Sequence, residues 1–183
     1  VTDAFWDELP ATGAPYRDVV AGGSYVYALT QAHTIACSIG RFVPDGTFKV
    51  LASDMERYCG IHTDGSVTCW TGFSAQPLTT PAVTLETISV AGLRVCGMRA
   101  DGSAVCWTEA TDPIVEEKPG PLKAIAAGLD GECIMHLDGT VACRGEYYDD
   151  GARPQPTGVF DSIAQECGIR PGGTVSCWGQ YRR

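Results

Sequence analysis

The chain has 183 residues and a formal net charge of −9, from 13 basic and 22 acidic side chains. This acidic balance disfavours phosphate backbones and anionic lipid, and no stretch approaches the ~20 continuous apolar residues of a membrane span, so we expect neither a nucleic-acid partner nor membrane insertion. The 22 glycines and 11 prolines are typical of short strands joined by many turns.

The predicted elements begin with a strand around Phe5-Trp6, followed by a strand of small and β-branched residues at 19–23 and a hairpin at 27–37. The hairpin, YALTQAHTIAC, returns four times as segments that start and end with cysteine, at 59–69, 96–106, 133–143 and 167–177. Its final cysteine recurs at intervals of 32, 37, 37 and 34 residues. Such self-similarity predicts a repeat architecture with one structural unit per copy.

The second copy, CGIHTDGSVTC, shows why each segment is predicted to be a β-hairpin. Asp64-Gly65 lies at its centre between alternating apolar and polar residues, so Gly65 is expected in the left-handed position of a three-residue loop. That loop places Cys59 opposite Cys69 in a non-hydrogen-bonded pair, whose Cα atoms approach to ~4.5 Å, a distance that a disulfide accepts. The same register predicts four cross-strand disulfides: Cys59–Cys69, Cys96–Cys106, Cys133–Cys143 and Cys167–Cys177.

Zinc is the competing interpretation of a cysteine-rich repeat. Structural zinc sites need ligands separated by two to four residues, whereas the cysteines within each copy are ten apart and His33, His62 and His136 belong to different copies. We therefore expect disulfides, no metal and no cofactor. Disulfides indicate an oxidising compartment, so the protein is predicted to be secreted, either extracellular or periplasmic.

Each hairpin lies between two further recurring elements. Upstream, segments of small and β-branched residues at 19–23, 50–54, 88–92 and 125–128 suit an inner strand, where several strands crowd together. Downstream, a tryptophan follows the second cysteine in three copies, as Trp70, Trp107 and Trp178. Because these tryptophans recur at one strand position, we expect them to pack between repeats and not to stack on a ligand.

The pattern of an inner strand ending in Ala-Gly, followed by C-x-[IM]-x-x-D-G-[ST]-V-x-C-W-G, resembles the regulator of chromosome condensation repeat in its bacterial, secreted, disulfide-containing form. The resemblance covers essentially the whole chain, and its last copy ends on Cys177-Trp178-Gly179. It implies an all-β β-propeller in which five repeats of 32–37 residues each supply about one four-stranded blade. We therefore expect a single β-propeller domain over residues 1–183. A closed five-bladed ring, with Phe5-Trp6 completing the last blade, is the simpler interpretation, and an open fragment that needs a partner is the alternative.

Two copies depart from the pattern. The first has Tyr27 where the others have their first cysteine, which leaves Cys37 unpaired; a buried thiol and an intermolecular disulfide are the two interpretations. The fifth runs SIAQEC at 162–167 and is about four residues shorter than the fourth, so its inner turn is expected to be abbreviated. Terminal copies of repeat arrays are often atypical.

Catalytic signatures are missing from the sequence: it contains no G-x-S-x-G, H-E-x-x-H, Walker or G-x-G-x-x-G motif. His62 and His136 occupy the repeat position of Arg99 and Arg170, which is typical of a solvated hairpin face and not of a catalytic base. The acidic group Glu146, Asp149 and Asp150 lacks the ligand spacing of a calcium loop, and an exposed loop is the simpler interpretation. We expect a protein that is not an enzyme.

Binding residues are expected where the turn after each inner strand and the loop after each third strand emerge on the same face of a propeller. Exposed Tyr, Arg and Phe side chains on such a face are the residue types that anchor protein interfaces. The candidates are Tyr25, Met55, Arg57, Tyr58, Phe73, Arg94, Tyr147 and Tyr148.

The resemblance implies a non-enzymatic binding module, similar in kind to the bacterial propellers that inhibit β-lactamases, with an extracellular protein as partner. A lectin that binds glycan is an alternative, although Tyr25, Arg57, Arg94 and Asp130 differ from copy to copy where repeated sugar sites should match. A structural subunit of an extracellular filament or surface assembly is the other alternative. In that case the Phe5-Trp6 strand and Cys37 would serve self-association.

Overall fold

The computed structural model describes residues 15–23, 25–37, 42–74, 76–110, 113–129, 131–149, 151 and 153–178. The chain forms two compact units, Val1–Thr84 and Leu85–Arg183, which contain two and three small antiparallel sheets respectively. Each sheet contains one copy of the sequence repeat. The predicted strand around Phe5-Trp6 and the Gly179 that ends the last copy lie outside the described residues, and the single-domain assignment stays a prediction.

The first unit contains two three-stranded sheets in chain order. Their strands are β1 (Tyr16–Gly22), β2 (Tyr25–Thr30) and β3 (Ile35–Cys37), then β4 (Phe48–Asp54), β5 (Arg57–His62) and β6 (Val67–Thr71). The first strands of the two sheets, β1 and β4, pack against one another. They contain the segments at 19–23 and 50–54 that the sequence assigns to inner strands.

The second unit contains a four-stranded sheet and two three-stranded sheets. The strands are β7 (Thr87–Ala91), β8 (Arg94–Met98), β9 (Ala104–Thr108) and β10 (Glu116–Lys118); β11 (Ala124–Gly128), β12 (Gly131–Met135) and β13 (Val141–Gly145), followed by the one-turn helix α1 (Glu146–Asp149); and β14 (Ser162–Ala164), β15 (Cys167–Ile169) and β16 (Val175–Cys177). The first strand of the middle sheet, β11, contacts both β7 and β14. Small side chains allow this approach, since Ala126 and Ala127 are buried. The described part of the chain contains no helix long and apolar enough to cross a bilayer.

The hairpins have the register that the sequence predicts. Cys59 lies opposite Cys69, the amide of His62 donates to the carbonyl of Ser66 over 2.8 Å, and Gly65 has φ +90°. The carboxylate of Asp64 accepts hydrogen bonds from the hydroxyl and the amide of Ser66, at 2.7 and 2.9 Å, and these bonds lower its pKa. Asp101 and Asp138 repeat these contacts with Ser103 and Thr140, so the Asp-Gly turn is one local structure used three times.

All four predicted disulfides are present, each joining directly opposite residues whose Cα atoms are 4.0–4.1 Å apart. Tyr27 and Cys37 are paired in the same register in the first sheet. The ring of Tyr27 is fully buried and lies 4.4 Å from that of Tyr58, and Cys37 is half-buried and belongs to none of the four disulfides. An aromatic side chain has therefore replaced a crosslink at this position.

Replacing Tyr27 by cysteine is expected to close a fifth cross-strand disulfide with Cys37, because the two positions are opposite one another as in the four natural pairs. Alkylation in denaturant without reductant is expected to label one cysteine in the wild type and none in Tyr27→Cys. The double variant Tyr27→Cys with Cys37→Ser is the control, and it should again take up one label. Labelling of two cysteines in Tyr27→Cys would show that the register does not suffice for a disulfide.

The fifth copy is shortened in its strands and not in its turn, so the expected abbreviated turn is wrong. Ala164 pairs with Cys167 across the two residues Gln165 and Glu166, just as Gly128 pairs with Gly131 in the fourth copy. In the fourth copy two more residue pairs lie between the turn and the cysteine, with Cys133 opposite Ala126. The fifth copy therefore lacks two residues in each of the two strands. Because side chains alternate between faces with a period of two residues, this loss keeps the remaining side chains on their original faces.

Four strands per repeat, as the resemblance implies, occur in the third sheet alone among the described residues. In the fourth sheet, the edge at Cys143 is covered by the side chain of Gln155, whose amide accepts from the Cys143 amide and donates to its carbonyl, each over 2.8 Å. Pro154 and Pro156 flank Gln155 and have no backbone N–H, so this segment cannot pair as a strand. A side-chain amide thus takes the place of a backbone peptide group.

Trp70 and Trp178, which follow the second cysteine of their copies, pack against a neighbouring sheet. Trp178 of the fifth copy donates from Nε1 to Sγ of Cys133 in the fourth copy, over 3.3 Å. Trp70 of the second copy meets Tyr27 of the first, edge to face, with ring centroids 5.5 Å apart. Cys133 and Tyr27 occupy the same repeat position, so Trp70 and Trp178 each cover the middle strand of the preceding copy.

Candidate functional site: an ionic cleft in the second unit

The second unit contains a cleft of about 760 Å³ at the turn ends of its third and fourth sheets. One set of walls comes from the turns after the inner strands, with Leu93 and Arg94 from one sheet and Leu129 from the next. The other set comes from the ends of the third strands and the segments that follow them, with Thr108 at the end of β9 and helix α1 after β13. The two kinds of turn that the sequence places on one face therefore meet here.

Arg94 lies at the centre of an ion-pair network in this cleft. Its guanidinium donates to both carboxylate oxygens of Glu116, at 2.8 and 3.2 Å, and to Oε2 of Glu132 at 2.6 Å. Lys118 closes the network, with Nζ 2.6 Å from Oε1 of Glu132 and 3.2 Å from Glu116. Glu132 is 4% exposed, and no other charged residue in the described part of the chain is buried. The bidentate pairing of Arg94 with Glu116 gives the network a well-defined geometry, since two parallel hydrogen bonds fix the orientation of both groups.

Glu132 and Glu116 belong to the site residues that the sequence analysis missed. A signal for Glu132 was present, because it directly precedes the first cysteine, where Tyr58 and Val95 are buried apolar side chains in other copies. A charged residue at a repeat position that is otherwise apolar indicates a buried partner. Glu166 occupies that position in the fifth copy, and it too is paired, with Arg153 at 2.6 Å.

The hydrogen bond from Arg94, together with Lys118, lowers the pKa of Glu116 below its ordinary value, against the opposing effect of partial burial. A depressed folded-state pKa contributes stability above the unfolded-state pKa, and that stability is lost as the pH falls through the folded-state value. The difference in unfolding free energy between wild type and Glu116→Gln is therefore expected to be full at neutral pH and to shrink progressively once the pH falls below the ordinary glutamate pKa of ~4.3. Urea unfolding at pH 7 and at pH 3 measures it, and an undiminished difference at pH 3 would contradict the assignment.

Three of the aromatic candidates are buried, so the expectation that they are exposed is wrong. Tyr25, Tyr58 and Tyr148 are 5%, 0% and 7% exposed. The hydroxyl of Tyr58 contacts the carbonyl oxygens of Gly22 and Tyr25 in the neighbouring sheet, and burial raises the pKa of Tyr58 to about 12. Packing between adjacent sheets, which a single repeat does not reveal, is the physical reason.

The other candidates have mixed positions. Met55 and Phe73 are 62% and 60% exposed, and Phe73 meets the ring of Tyr25 edge to face at 5.4 Å. Arg57 is half-buried, and Tyr147 lies on helix α1 with its side chain outside the described part. Arg94 lines the cleft. A binding role for these residues stays a prediction.

Glu146 and Asp149 of the acidic group lie in the one-turn helix α1 and not in an open loop. The carboxylate of Asp149 accepts a hydrogen bond from the backbone amide of Gly145, at the end of strand β13, over 3.2 Å. Asp150 lies outside the described residues. Within the described ranges, no three His, Cys, Asp or Glu side chains come together in a way that could hold a metal ion.

The solved structures that are similar to this chain include one plant protein and one yeast protein. The CRINKLY WD40 ectodomain of the Arabidopsis thaliana receptor kinase ACR4 is 27% identical with a TM-score of 0.70, and the match covers 93% of this chain and 65% of that one. Prp20p from Saccharomyces cerevisiae is 14% identical with a TM-score of 0.71, covering 92% and 59%. Yeast RCC1 (Prp20) in its complex with Kap60 is 15% identical with a TM-score of 0.62, covering 92% and 53%. The chain thus spans less than two thirds of each of these proteins.

No protein-family model matches the sequence, and no curated protein matches it either. The five repeats, their five small sheets and the structural neighbours define the class: the chain has the fold of an RCC1-like repeat β-propeller. The resemblance to the regulator of chromosome condensation repeat is confirmed, and so is the predicted fold class, an all-β β-propeller of five repeats with a cross-strand disulfide in most of them.

Proposed function

We propose that the chain is a secreted, non-catalytic module that binds another protein through the turn face of its sheets, and that it acts by occluding an extracellular enzyme. The observation that carries the proposal is the rim of the ionic cleft, where Leu93 and Leu129 are each half exposed beside a network of paired charges. Interface centres combine apolar anchors with arginine in this way.

A rigid binding face supports the same proposal. The hairpins on either side of the cleft are held by the disulfides Cys96–Cys106 and Cys133–Cys143, and the Arg94 network joins the two sheets. A surface that is already ordered loses little conformational entropy on binding. In the first unit, Met55 offers a comparable exposed apolar side chain on the turn after an inner strand, and Phe73 offers one on the loop after a third strand.

The neighbours and the disulfides support a secreted binding role. The Arabidopsis neighbour is a receptor ectodomain, and the yeast neighbour is described by its binding to Gsp1p and histones and by its complex with Kap60. Four disulfides form and persist in oxidising compartments such as the extracellular space or the periplasm. Protein binding outside the reducing cytosol follows as the best-supported function.

Site-specific photo-crosslinking tests the proposal with a matched pair of positions. A photoreactive amino acid at Leu93 is expected to capture a protein from the extracellular fraction of the source organism, and Leu129→Asp should abolish the capture. Leu137 is the control: it is 64% exposed and lies beyond the opposite end of strand β12 from Leu129. Leu137→Asp should leave the capture unchanged.

Two outcomes would overturn the binding role: no captured protein, or a capture that Leu137→Asp reduces as much as Leu129→Asp does. If the captured protein is an enzyme, its activity should fall in proportion to added chain until a stoichiometric end point, and Leu129→Asp should restore it. An unaffected enzyme activity would overturn occlusion and leave binding in place. Size-exclusion chromatography of the free chain is run alongside, because a concentration-dependent oligomer would favour the assembly alternative.

A further inference from the structure

A second hollow, of about 350 Å³, adjoins the ionic cleft in the second unit. One wall is the segment Pro119–Pro121 that follows strand β10, and the other is the face of the fourth sheet formed by Ile134, His136 and Ala142. Lys118, Glu132 and Arg144 line both the cleft and the hollow. The two spaces therefore lie side by side at these side chains, and together they are the groove between the third and fourth sheets.

The direction of the groove follows from the strand period. Glu132, Ile134 and His136 alternate along β12 and its extension, so their side chains lie on the same side of the sheet. A ligand that passes over Glu132 at the turn end reaches Ile134 and then His136 towards the opposite end. An extended peptide matches this geometry, because its own side chains alternate with the same period.

The charges at the turn end of the groove select a cation. The positive charges of Arg94 and Lys118 are neutralised by Glu116 and Glu132. The remaining exposed charges of the rim are the carboxylates of Glu146 and Asp149 and the guanidinium of Arg144, and Glu116 is itself 47% exposed. Acidic oxygens therefore outnumber exposed cations at the rim, and the whole chain carries −9.

The hollow at the other end selects an apolar side chain. Apolar surface comes from Pro119 and Pro121 on one wall and from Ile134 and Ala142 on the other, beside the polar side chains of Glu117, His136 and Arg144. The carboxylate of Glu117 already accepts two hydrogen bonds from Arg99, at 2.6 and 2.8 Å, so its charge is neutralised. Apolar walls around a space of this volume accommodate a large aliphatic or aromatic side chain.

We infer that this groove binds an extended segment of the partner protein, with a lysine or arginine at the Glu146 end and a large apolar side chain in the hollow over Ile134 and Ala142. The inference rests on the proposed function, because it names the chemistry of the partner for that same cleft. It also adds the hollow beyond Lys118, which the turn-face proposal does not use.

Selection from a phage-displayed library of random linear peptides on the immobilised full-length chain tests the inference. The expected enriched peptides pair a basic residue with a large apolar one. A selected peptide, synthesised with a fluorescent label, is then measured by fluorescence polarisation. Glu146→Lys is expected to weaken its binding by about tenfold or more, since one close charge pair is worth about that factor. Ala142→Trp should weaken it by filling the hollow.

Asp161→Lys is the matched control, because it makes the same change of charge at an exposed carboxylate of the second unit that lines neither space. Its binding should stay within about twofold of the wild type. Enrichment of acidic peptides, no enrichment, or equal binding by Glu146→Lys and Asp161→Lys would each overturn the inference. Photo-crosslinking from position 93 reports separately on the proposed function, so a captured partner with any of these results leaves that function standing.

Discussion

Replacing Glu132 by alanine is expected to destabilise the protein by about 3–5 kcal/mol, because removing one member of a buried ion pair leaves its partners charged and poorly solvated. Glu132 is 4% exposed, and the side chains of Arg94 and Lys118, both bonded to it at 2.6 Å, are each 15% exposed. Urea unfolding of the full chain, followed by circular dichroism, measures the loss.

The control for this prediction is Glu117→Ala. Glu117 also pairs with an arginine at 2.6 Å, but its side chain is 62% exposed, and exposed pairs contribute only about 0–1 kcal/mol. The two variants therefore separate the effect of burial from the effect of losing a salt bridge. A loss for Glu132→Ala no larger than that for Glu117→Ala would contradict the buried network.

A second comparison separates the contribution of the network to protein stability from its contribution to the shape of the cleft. Replacing Arg94 and Lys118 by methionine and Glu132 by leucine removes every buried charge that Glu132 contacts while keeping most of the side-chain volume. Apolar replacement of a whole buried ionic group is often neutral or stabilising. The triple variant is therefore expected to be more stable than Glu132→Ala. The network then serves to define the cleft more than to hold the fold together.

Local structure was predictable from the sequence because the repeat presents the same short-range chemistry several times. The Asp-Gly turns, the register of Cys59 with Cys69 and the inner strands all follow from residues within about ten positions of one another. Each of these features was confirmed by contacts inside one sheet. Even the first copy, which lacks a cysteine at Tyr27, keeps the register of the others.

Features that depend on two sheets at once were not predictable in the same way. Tyr58 was expected on an exposed face, yet its hydroxyl contacts the carbonyls of Gly22 and Tyr25 in the preceding copy. The partners of Glu132 lie 38 residues away at Arg94 and on the edge strand β10 at Lys118. A periodic pattern reports which face of a strand is apolar, but it does not report which residues of the next repeat cover that face.

Replacing Trp70 by alanine is expected to cost about 3–5 kcal/mol, the range for deleting a large buried aromatic side chain. The indole is fully buried and has three aromatic neighbours, with ring centroids 5.5 Å from Tyr27, 6.0 Å from Tyr58 and 6.3 Å from Phe48. Tyr27 belongs to the first sheet and the others to the second, so the deletion opens a cavity where two repeats meet.

Phe73→Ala is the control for this deletion, because its ring lies two residues beyond the same strand but is 60% exposed, and exposed substitutions usually change stability by less than about 0.5 kcal/mol. Urea unfolding should show the largest loss of stability for Trp70→Ala, which opens a cavity. The loss should be smaller for Trp70→Phe, which partly refills the cavity, and smallest for Phe73→Ala at the surface. Equal losses for Trp70→Ala and Phe73→Ala would mean that the tryptophan is not a packing residue and would return it to the candidates for ligand binding. The expected ranking assigns the recurring tryptophans to the joints between repeats, which leaves the variable turn residues, Leu93 and Leu129 among them, to carry the binding.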